Sequence, residues 1–137
     1  MSIIIKNCTE PYFQLIKKYI AEFELDDRNL LLQQFVIALN EGELVAFGRV
    51  REHADFSELC SMGVISKERS KGIGKKIFPA MLAKAEKTKY LACIIPSYFI
   101  PFGFEICNDY PAEMLDKLDF CTVSLPVEET YVVMRKD

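Results

Sequence analysis

The sequence predicts an α+β fold in which a mixed, mostly antiparallel sheet is flanked by helices. Three observations favour it: strand-like and helix-like apolar patterns alternate along the chain, a tight turn stands at Asn40–Glu43, and a glycine-rich junction stands at Arg69–Lys75. A chain of 137 residues, 50% of them hydrophobic, is long enough to bury one core. We therefore expect a single domain over residues 1–137.

The N-terminal half contains most of the predicted strands. Thr9 is the predicted cap of the first helix, because its hydroxyl precedes Pro11 and can accept an unpaired N–H group. Gly42 is expected to supply the left-handed residue of a hairpin turn. In chain order the predicted elements are a strand at Ser2–Lys6, a helix with Phe13, Ile16, Ile20 and Phe23 at helical spacing, a short helix at Leu30–Leu32, and strands at Phe35–Leu39, Leu44–Arg51 and Phe56–Ile65.

The C-terminal half begins with a helix that the glycine motif opens. Pro79 stands well inside this helix, where a proline removes a hydrogen bond and is expected to kink it. The predicted elements are a helix at Gly72–Lys87, a strand at Leu91–Ile95, one helical turn at Ser97–Phe102, a helix at Pro111–Leu118 and a last strand at Tyr131–Arg135.

Charge and composition exclude several classes of protein. With 17 Lys and Arg against 20 Asp and Glu, the net charge of −3 argues against nucleic-acid binding by bulk electrostatics. No apolar run is long enough to cross a bilayer, and no secretory signal is evident, so we expect a cytoplasmic protein with no membrane partner.

Histidine and cysteine usage argues against a metal site. The five cysteines include no Cys-x-x-Cys pair and are expected to be small buried hydrophobes. The single histidine, His53, stands between Glu52 and Asp55 in a predicted turn, where a solvated role is expected. We predict no metal.

The most informative segment joins a β-branched strand to a helix through Arg69-x-x-Gly72-x-Gly74. Glycines allow a ligand to approach the backbone closely, and the first turn of a helix leaves its N–H groups without partners. Together they favour a phosphate or pyrophosphate site, to which Arg69 and Lys71 add positive charge. The segment therefore predicts a nucleotide-like cofactor. A dinucleotide fold is disfavoured because the motif lies mid-chain and has no third glycine.

This motif, followed by a strand and by Phe99-x-x-x-Gly103-Phe104, resembles the GNAT superfamily of acetyl-CoA-dependent N-acetyltransferases across residues 34–104. The resemblance implies that residues 69–75 hold the pyrophosphate of coenzyme A and that Gly63 marks a bulge that opens the sheet to the thioester. A backbone N–H near Val64 would stabilise the oxyanion. The implied cofactor contacts are Met62, Gly63, Val64, Arg69, Ser70, Lys71, Gly72, Ile73, Gly74 and Lys75.

The resemblance also implies the catalytic groups. Glu58 is the predicted base that takes the proton of the attacking amine, directly or through water; the alternative is an ordinary ion pair with a nearby cation. Many members of the superfamily have a tyrosine acid four residues before the Gly-Phe pair, and Phe99 occupies that position here. Tyr98 is therefore the candidate acid, with simple packing as its alternative.

The acceptor is predicted from arginines, since a guanidinium recognises a carboxylate well. Arg28, Arg49 and Arg51 are the candidate substrate contacts, with ordinary solvated arginines as the alternative. The segment Ser97–Glu105 also resembles the acetyltransferase domain of N-acetylglutamate synthases. We predict acetyl transfer in a ternary complex to the primary amine of a small molecule, with an amino acid such as glutamate as candidate. The alternatives are a protein N-terminal or lysine acetyltransferase and an inactive acyl-CoA-binding module; the superfamily also suggests a homodimer.

Overall fold

The computed structural model describes residues 2–69 and 71–137 of the chain. It divides into two compact units, which we describe separately. The first comprises Met1–Arg51 and Leu59–Glu86, and the second comprises Glu52–Glu58 and Lys87–Asp137. Within these described ranges, seven strands form a mixed sheet and four α-helices accompany it, so the predicted α+β fold class is confirmed. No helix in the described ranges is long and apolar enough to cross a bilayer. That the chain is one domain stays a prediction.

The first unit contains four strands in the order β1-β2-β3-β4, with β1/β2 and β2/β3 antiparallel. The predicted hairpin turn between β2 and β3 is confirmed, because Glu41 and Gly42 both have left-handed φ angles of 50° and 81°. The elements are β1 (Ile3–Asn7), α1 (Tyr12–Glu22), β2 (Phe35–Asn40), β3 (Glu43–Glu52), β4 (Ser57–Val64) and α2 (Ile73–Lys84).

The core of the first unit lies between α1 and the sheet. Ile16 and Ile20 of α1 are buried against Phe35 and Phe47, as the helical spacing of these apolar residues requires. On β3, a Cβ added at Gly48 would clash with the sulfur of Met81 on α2. The glycine therefore allows α2 to rest almost directly on the backbone of β3.

The second unit contains strands in the order β4-β5-β7-β6. Strand β4 enters it through Ser57 and Glu58, which pair in parallel with Lys89 and Tyr90; the other pairings are antiparallel. Phe56, Tyr90, Met114 and Val133 form its core. The elements are β5 (Lys89–Cys93), α3 (Pro96–Phe99), β6 (Glu105–Ile106), α4 (Ala112–Ser124) and β7 (Val132–Lys136).

Several predicted boundaries were wrong. Thr9 does not cap α1 with its side chain: Pro11 is the N-cap residue, and the Thr9 carbonyl accepts the N–H of Tyr12. The short helix expected at residues 30–32 is a 3₁₀ turn at Leu32–Gln34. Helix α4 continues to Ser124, six residues past the predicted end at Leu118, since Cys121 continues its buried face. Helix α2 runs through Pro79 as one element.

Candidate active site

The N-terminus of α2 is an open cluster of backbone donors. Gly72 is its N-cap residue, with a left-handed φ of 75°, and as a glycine it offers no side chain to cap the helix. The first turn contains no acidic residue, and a Cβ added at Gly72 would meet nothing within 4 Å. Ile73, the first residue of the helix, is buried, so its side chain anchors this end of the helix. Such a helix start attracts an anion through its free N–H groups and its dipole.

Two cationic side chains in the loop before α2, Arg69 and Lys71, form contacts with other groups of the protein. Arg69 donates from Nε to the carbonyl of Val64 at 3.0 Å, and its guanidinium carbon lies 4.9 Å from the ring centroid of Phe23. Lys71 Nζ lies 3.1 Å from a carboxylate oxygen of Glu68, a buried residue. These contacts orient both side chains in the loop. Ser70, a predicted cofactor contact, lies outside the described residues.

The residue of β4 with a left-handed backbone conformation is Ser61 and not Gly63, where the bulge is predicted. Ser61 has a left-handed φ of 46°, whereas Gly63 does not have a positive φ. A Cβ at Gly63 would stand 2.6 Å from the ring of Phe47, so glycine is required here for close packing. Met62 and Val64 are both partly exposed, as a strand that pairs with a ligand requires.

Arg49 is a buried anchor of the loop that follows α1. Its side chain has 0% exposure, and it donates from Nε to Gln34 at 2.8 Å and from Nη2 to the carbonyls of Arg28 and Asn29 at 2.7 and 3.0 Å. Its Nη1 forms no hydrogen bond within the described residues. The structure therefore gives Arg49 a role that the sequence did not predict, and its contact with an acceptor stays a prediction.

The other predicted acceptor contacts lie in the same unit. Arg28 donates to both carboxylate oxygens of Asp26, at 3.1 and 3.0 Å, with 30% of its side chain exposed. The backbone carbonyl of Asp26 in turn accepts the hydroxyl of Ser61 at 2.8 Å. Arg51, near the end of β3, is partly exposed. The loop after α1 is thus tied to β4 at Ser61, immediately before Met62.

In the second unit, Glu58 is the centre of a buried charge cluster. Its side chain is 1% exposed, and His53 Nε2 and Lys117 Nζ approach its two carboxylate oxygens to 3.0 and 3.1 Å. Burial raises the pKa of Glu58, but the hydrogen bond from His53 and the charge of Lys117 outweigh it, so the pKa lies below its ordinary value. The carboxylate is therefore ionised at neutral pH.

His53 and Lys117 are partners that sequence reasoning missed. His53 is 13% exposed and stacks on Phe56, with ring centroids 4.4 Å apart, so the expected solvated role is wrong. It is near Glu58 because the turn between β3 and β4 reverses the chain between them. Lys117 had a detectable signal: it shares the buried face of α4 with Met114 and Cys121, and a lysine on such a face usually has a buried anionic partner.

Tyr98 lies on α3 among aromatic rings. Its ring lies 5.0 Å from Phe99 and 6.0 Å from Phe102, centroid to centroid. Burial raises the pKa of its hydroxyl, so the phenol keeps its proton at neutral pH. Phe99 itself is buried and packs on Phe104. Tyr98 can therefore donate a proton, and its role as the acid stays a prediction.

The sheet order and the strand that runs into a glycine-capped, donor-rich helix define an acyltransferase-like α+β protein. The chain belongs to the acetyltransferase (GNAT) family, whose model matches residues 3–96. This confirms the predicted superfamily. No curated protein sequence matches the chain.

Solved structures with the same fold include three informative neighbours. N-acetylglutamate synthase from Neisseria gonorrhoeae, complexed with coenzyme A and N-acetyl-glutamate, superposes with a TM-score of 0.76 at 14% identity over 99% of this chain. This chain spans 35% of the length of that synthase. Rv2747 from Mycobacterium tuberculosis, in complex with CoA, gives a TM-score of 0.77 at 17% identity, covering 96% of this chain and 97% of its own. Arabidopsis thaliana Naa50, with a bisubstrate analogue, gives 0.68 at 14% identity over 100% and 99% of the two chains.

Proposed function

We propose that the protein transfers the acetyl group of acetyl-CoA to the primary amine of a small molecule, with an amino acid such as glutamate as the leading candidate. The observation that carries this proposal is the N-terminus of α2, where the N-cap residue Gly72 has a left-handed φ of 75° and, as a glycine, offers no side chain to cap the helix. The family membership supports acetyl transfer, and coenzyme A is bound in neighbours of the same fold.

Each part of the site has a proposed role. The backbone N–H groups of residues 72–75 bind the diphosphate, with Arg69 and Lys71 beside them, and the edge of β4 at Met62–Val64 pairs with the pantetheine arm. A backbone N–H near Val64 stabilises the oxyanion of the tetrahedral intermediate. We assign the proton of the amine to the cluster around Glu58 and the protonation of the leaving thiolate to Tyr98.

The candidate acceptor is supported by one neighbour, the N-acetylglutamate synthase complexed with N-acetyl-glutamate. The proposed contact to the acceptor carboxylate is Arg51, which is partly exposed. Arg28 lies in the loop that follows α1, and the buried Arg49 holds that loop. A peptide N-terminus is the second candidate, because Naa50 in complex with a bisubstrate analogue covers the whole of this chain.

A thiol-release assay tests the acceptor. Purified protein is incubated with acetyl-CoA and a panel of free amino acids, polyamines and short peptides, and free coenzyme A is measured. Release with glutamate or another amino acid supports the proposal, and release only with peptides supports the second candidate. Binding of acetyl-CoA without release across the panel indicates a module that has lost turnover.

The cofactor site has its own test with a matched control. We expect Gly72→Glu to abolish acetyl-CoA binding in isothermal titration, because the carboxylate would occupy and repel the diphosphate position. Gly42→Glu places the same side chain at a second open, left-handed glycine, with a φ of 81°. It carries the same backbone strain and should bind normally. Equal affinity of the two variants would refute the assignment of the diphosphate site.

A further inference from the structure

The proton of the acceptor amine needs a base that the amine can reach, and Glu58 does not meet this requirement by itself. Its side chain is 1% exposed, and both carboxylate oxygens are engaged, one by His53 and the other by Lys117. A general base must approach its proton to about 3 Å, directly or through one water. An amine could reach the carboxylate only by displacing one of these partners.

His53 is the member of the cluster that keeps an exposed edge. Its ring is 13% exposed, whereas Glu58 and Lys117 are 1% and 5% exposed. The carboxylate of Glu58 is ionised and can only accept a hydrogen bond, so the contact of 3.0 Å requires that His53 Nε2 carries the hydrogen. In the neutral ring, Nδ1 then carries the lone pair, and Nδ1 has no partner within the described residues.

The surroundings of His53 hold the ring in one orientation. It stacks on Phe56 at an interplanar angle of 16°. Its backbone N–H donates to the Phe56 carbonyl at 2.9 Å, and its own carbonyl accepts from Lys87 Nζ at 2.7 Å. Its charged neighbours are Glu58, which Nε2 contacts, and Lys87, which bonds the His53 carbonyl; Lys117 and Glu52 pair with these two groups in turn. A ring fixed in position and tautomer is prepared for proton transfer.

We propose that His53 Nδ1 takes the proton from the acceptor amine, and that Glu58 and Lys117 are positioning residues that hold the imidazole for this step. The inference rests on the proposed acetyl transfer. Strand β4 carries Glu58 and, four residues later, the Met62–Val64 segment proposed to line the pantetheine arm.

The amine nitrogen forms a bond to the thioester carbonyl carbon, and one N–H proton moves to His53 Nδ1, which becomes a cationic imidazolium beside the Glu58 carboxylate. The C–S bond then breaks, and coenzyme A leaves as a thiolate that takes up one proton. The imidazolium returns its proton to solvent, and the products are the amide and the free thiol.

The tautomer can be measured directly, because His53 is the only histidine in the chain. Protein labelled with ¹⁵N-histidine gives one imidazole in a long-range ¹⁵N–¹H correlation spectrum. We expect the neutral ring to carry hydrogen on Nε2 and none on Nδ1. A neutral ring protonated on Nδ1 would overturn the proposal, because that nitrogen could not accept the amine proton.

The kinetic test compares His53→Gln with Asp55→Asn, an exposed residue of the same turn. The glutamine amide can still donate to Glu58 but cannot act as a base. We expect His53→Gln to lower kcat/KM about 100-fold at neutral pH, and Asp55→Asn to stay within about twofold of wild type, since that side chain takes no part in the step. Thermal melts of both variants verify the fold.

The pH dependence separates a base from a structural residue. The acceptor amine titrates identically in wild type and variant, so the ratio of their kcat/KM values isolates the enzyme group. We expect the ratio of wild type to variant to rise with pH, because only a neutral imidazole can accept the amine proton, and we expect added imidazole to restore part of the rate of His53→Ala. A ratio that is constant with pH, without rescue, would show that His53 is only structural.

Failure of the proposed role of His53 can be distinguished from failure of the proposed acetyl transfer. An active wild type with an equally active His53→Gln variant overturns the role of His53 and leaves acetyl transfer standing. A wild type that releases no thiol with any amine overturns the proposed function and the role of His53 together.

Discussion

Lys117→Met is the most informative test of how the second unit is built. Lys117 and Glu58 form an ion pair at 3.1 Å with side chains 5% and 1% exposed, so removal of the ammonium leaves a buried carboxylate with one partner. Loss of one member of a buried pair costs about 3–5 kcal/mol in the free energy of unfolding. We expect the lower end, about 3 kcal/mol, because the hydrogen bond from His53 remains. In a chain of 137 residues, this corresponds to a fall in melting temperature on the order of 10 °C.

The pH dependence of this loss follows from the pKa of Glu58. Burial raises that pKa, but His53 and Lys117 together hold it below its ordinary value. A carboxyl with a lowered folded pKa adds stability above its unfolded pKa, and this stability is lost as the pH falls through the folded pKa. The variant should therefore be most destabilised near pH 7, and the difference from wild type should shrink below a pH of roughly 4.

Urea unfolding of wild type and variant at several pH values measures this difference. Lys67→Met is the matched control, since Lys67 and Glu43 form an ion pair at 3.7 Å with side chains 70% and 74% exposed. We expect it to cost less than about 1 kcal/mol. A Lys117→Met variant no less stable than this control at pH 7 would refute the buried pair.

Two further variants test residues singled out above. Arg49→Lys should destabilise the protein by about 2 kcal/mol in urea unfolding, because a single ammonium cannot reach Gln34 and the carbonyls of Arg28 and Asn29 at once. A cost as small as that of Arg51→Lys, at a partly exposed position of the same strand, would contradict the anchoring role. Tyr98→Phe keeps the ring contacts and removes the hydroxyl. We expect kcat to fall about 100-fold at an unchanged melting temperature, and an unchanged kcat would exclude Tyr98 as the acid.

The elements that the sequence predicted are those with a local signal. The hairpin at Asn40–Glu43 and the helix opened by Gly72 depend on backbone conformations that glycine favours, so both could be recognised within a few residues. Strand β6 was missed because Glu105–Ile106 is too short to show alternation. It exists through its pairing with β7, a contact that no local pattern reports.

The environment of the site residues was less predictable. Glu58 was chosen from its position on the strand, but its partner Lys117 is 59 positions further along the chain and meets it only after folding. The bulge was predicted at Gly63 because glycine adopts positive φ most easily. Ser61 takes that conformation instead, and its hydroxyl bonds the Asp26 carbonyl at 2.8 Å.

The contact between Gly48 and Met81 has a consequence for how distant substitutions affect this protein. Met81 is eight residues from the start of α2, about 12 Å along the helix axis. A methyl group at Gly48 would clash with the Met81 side chain, so either the thioether rearranges or α2 shifts. A variant in which α2 shifts would have altered affinity for a nucleotide tail that the substituted residue never touches. In a mutational scan, such a variant would have the same effect as a substitution in the loop that precedes α2.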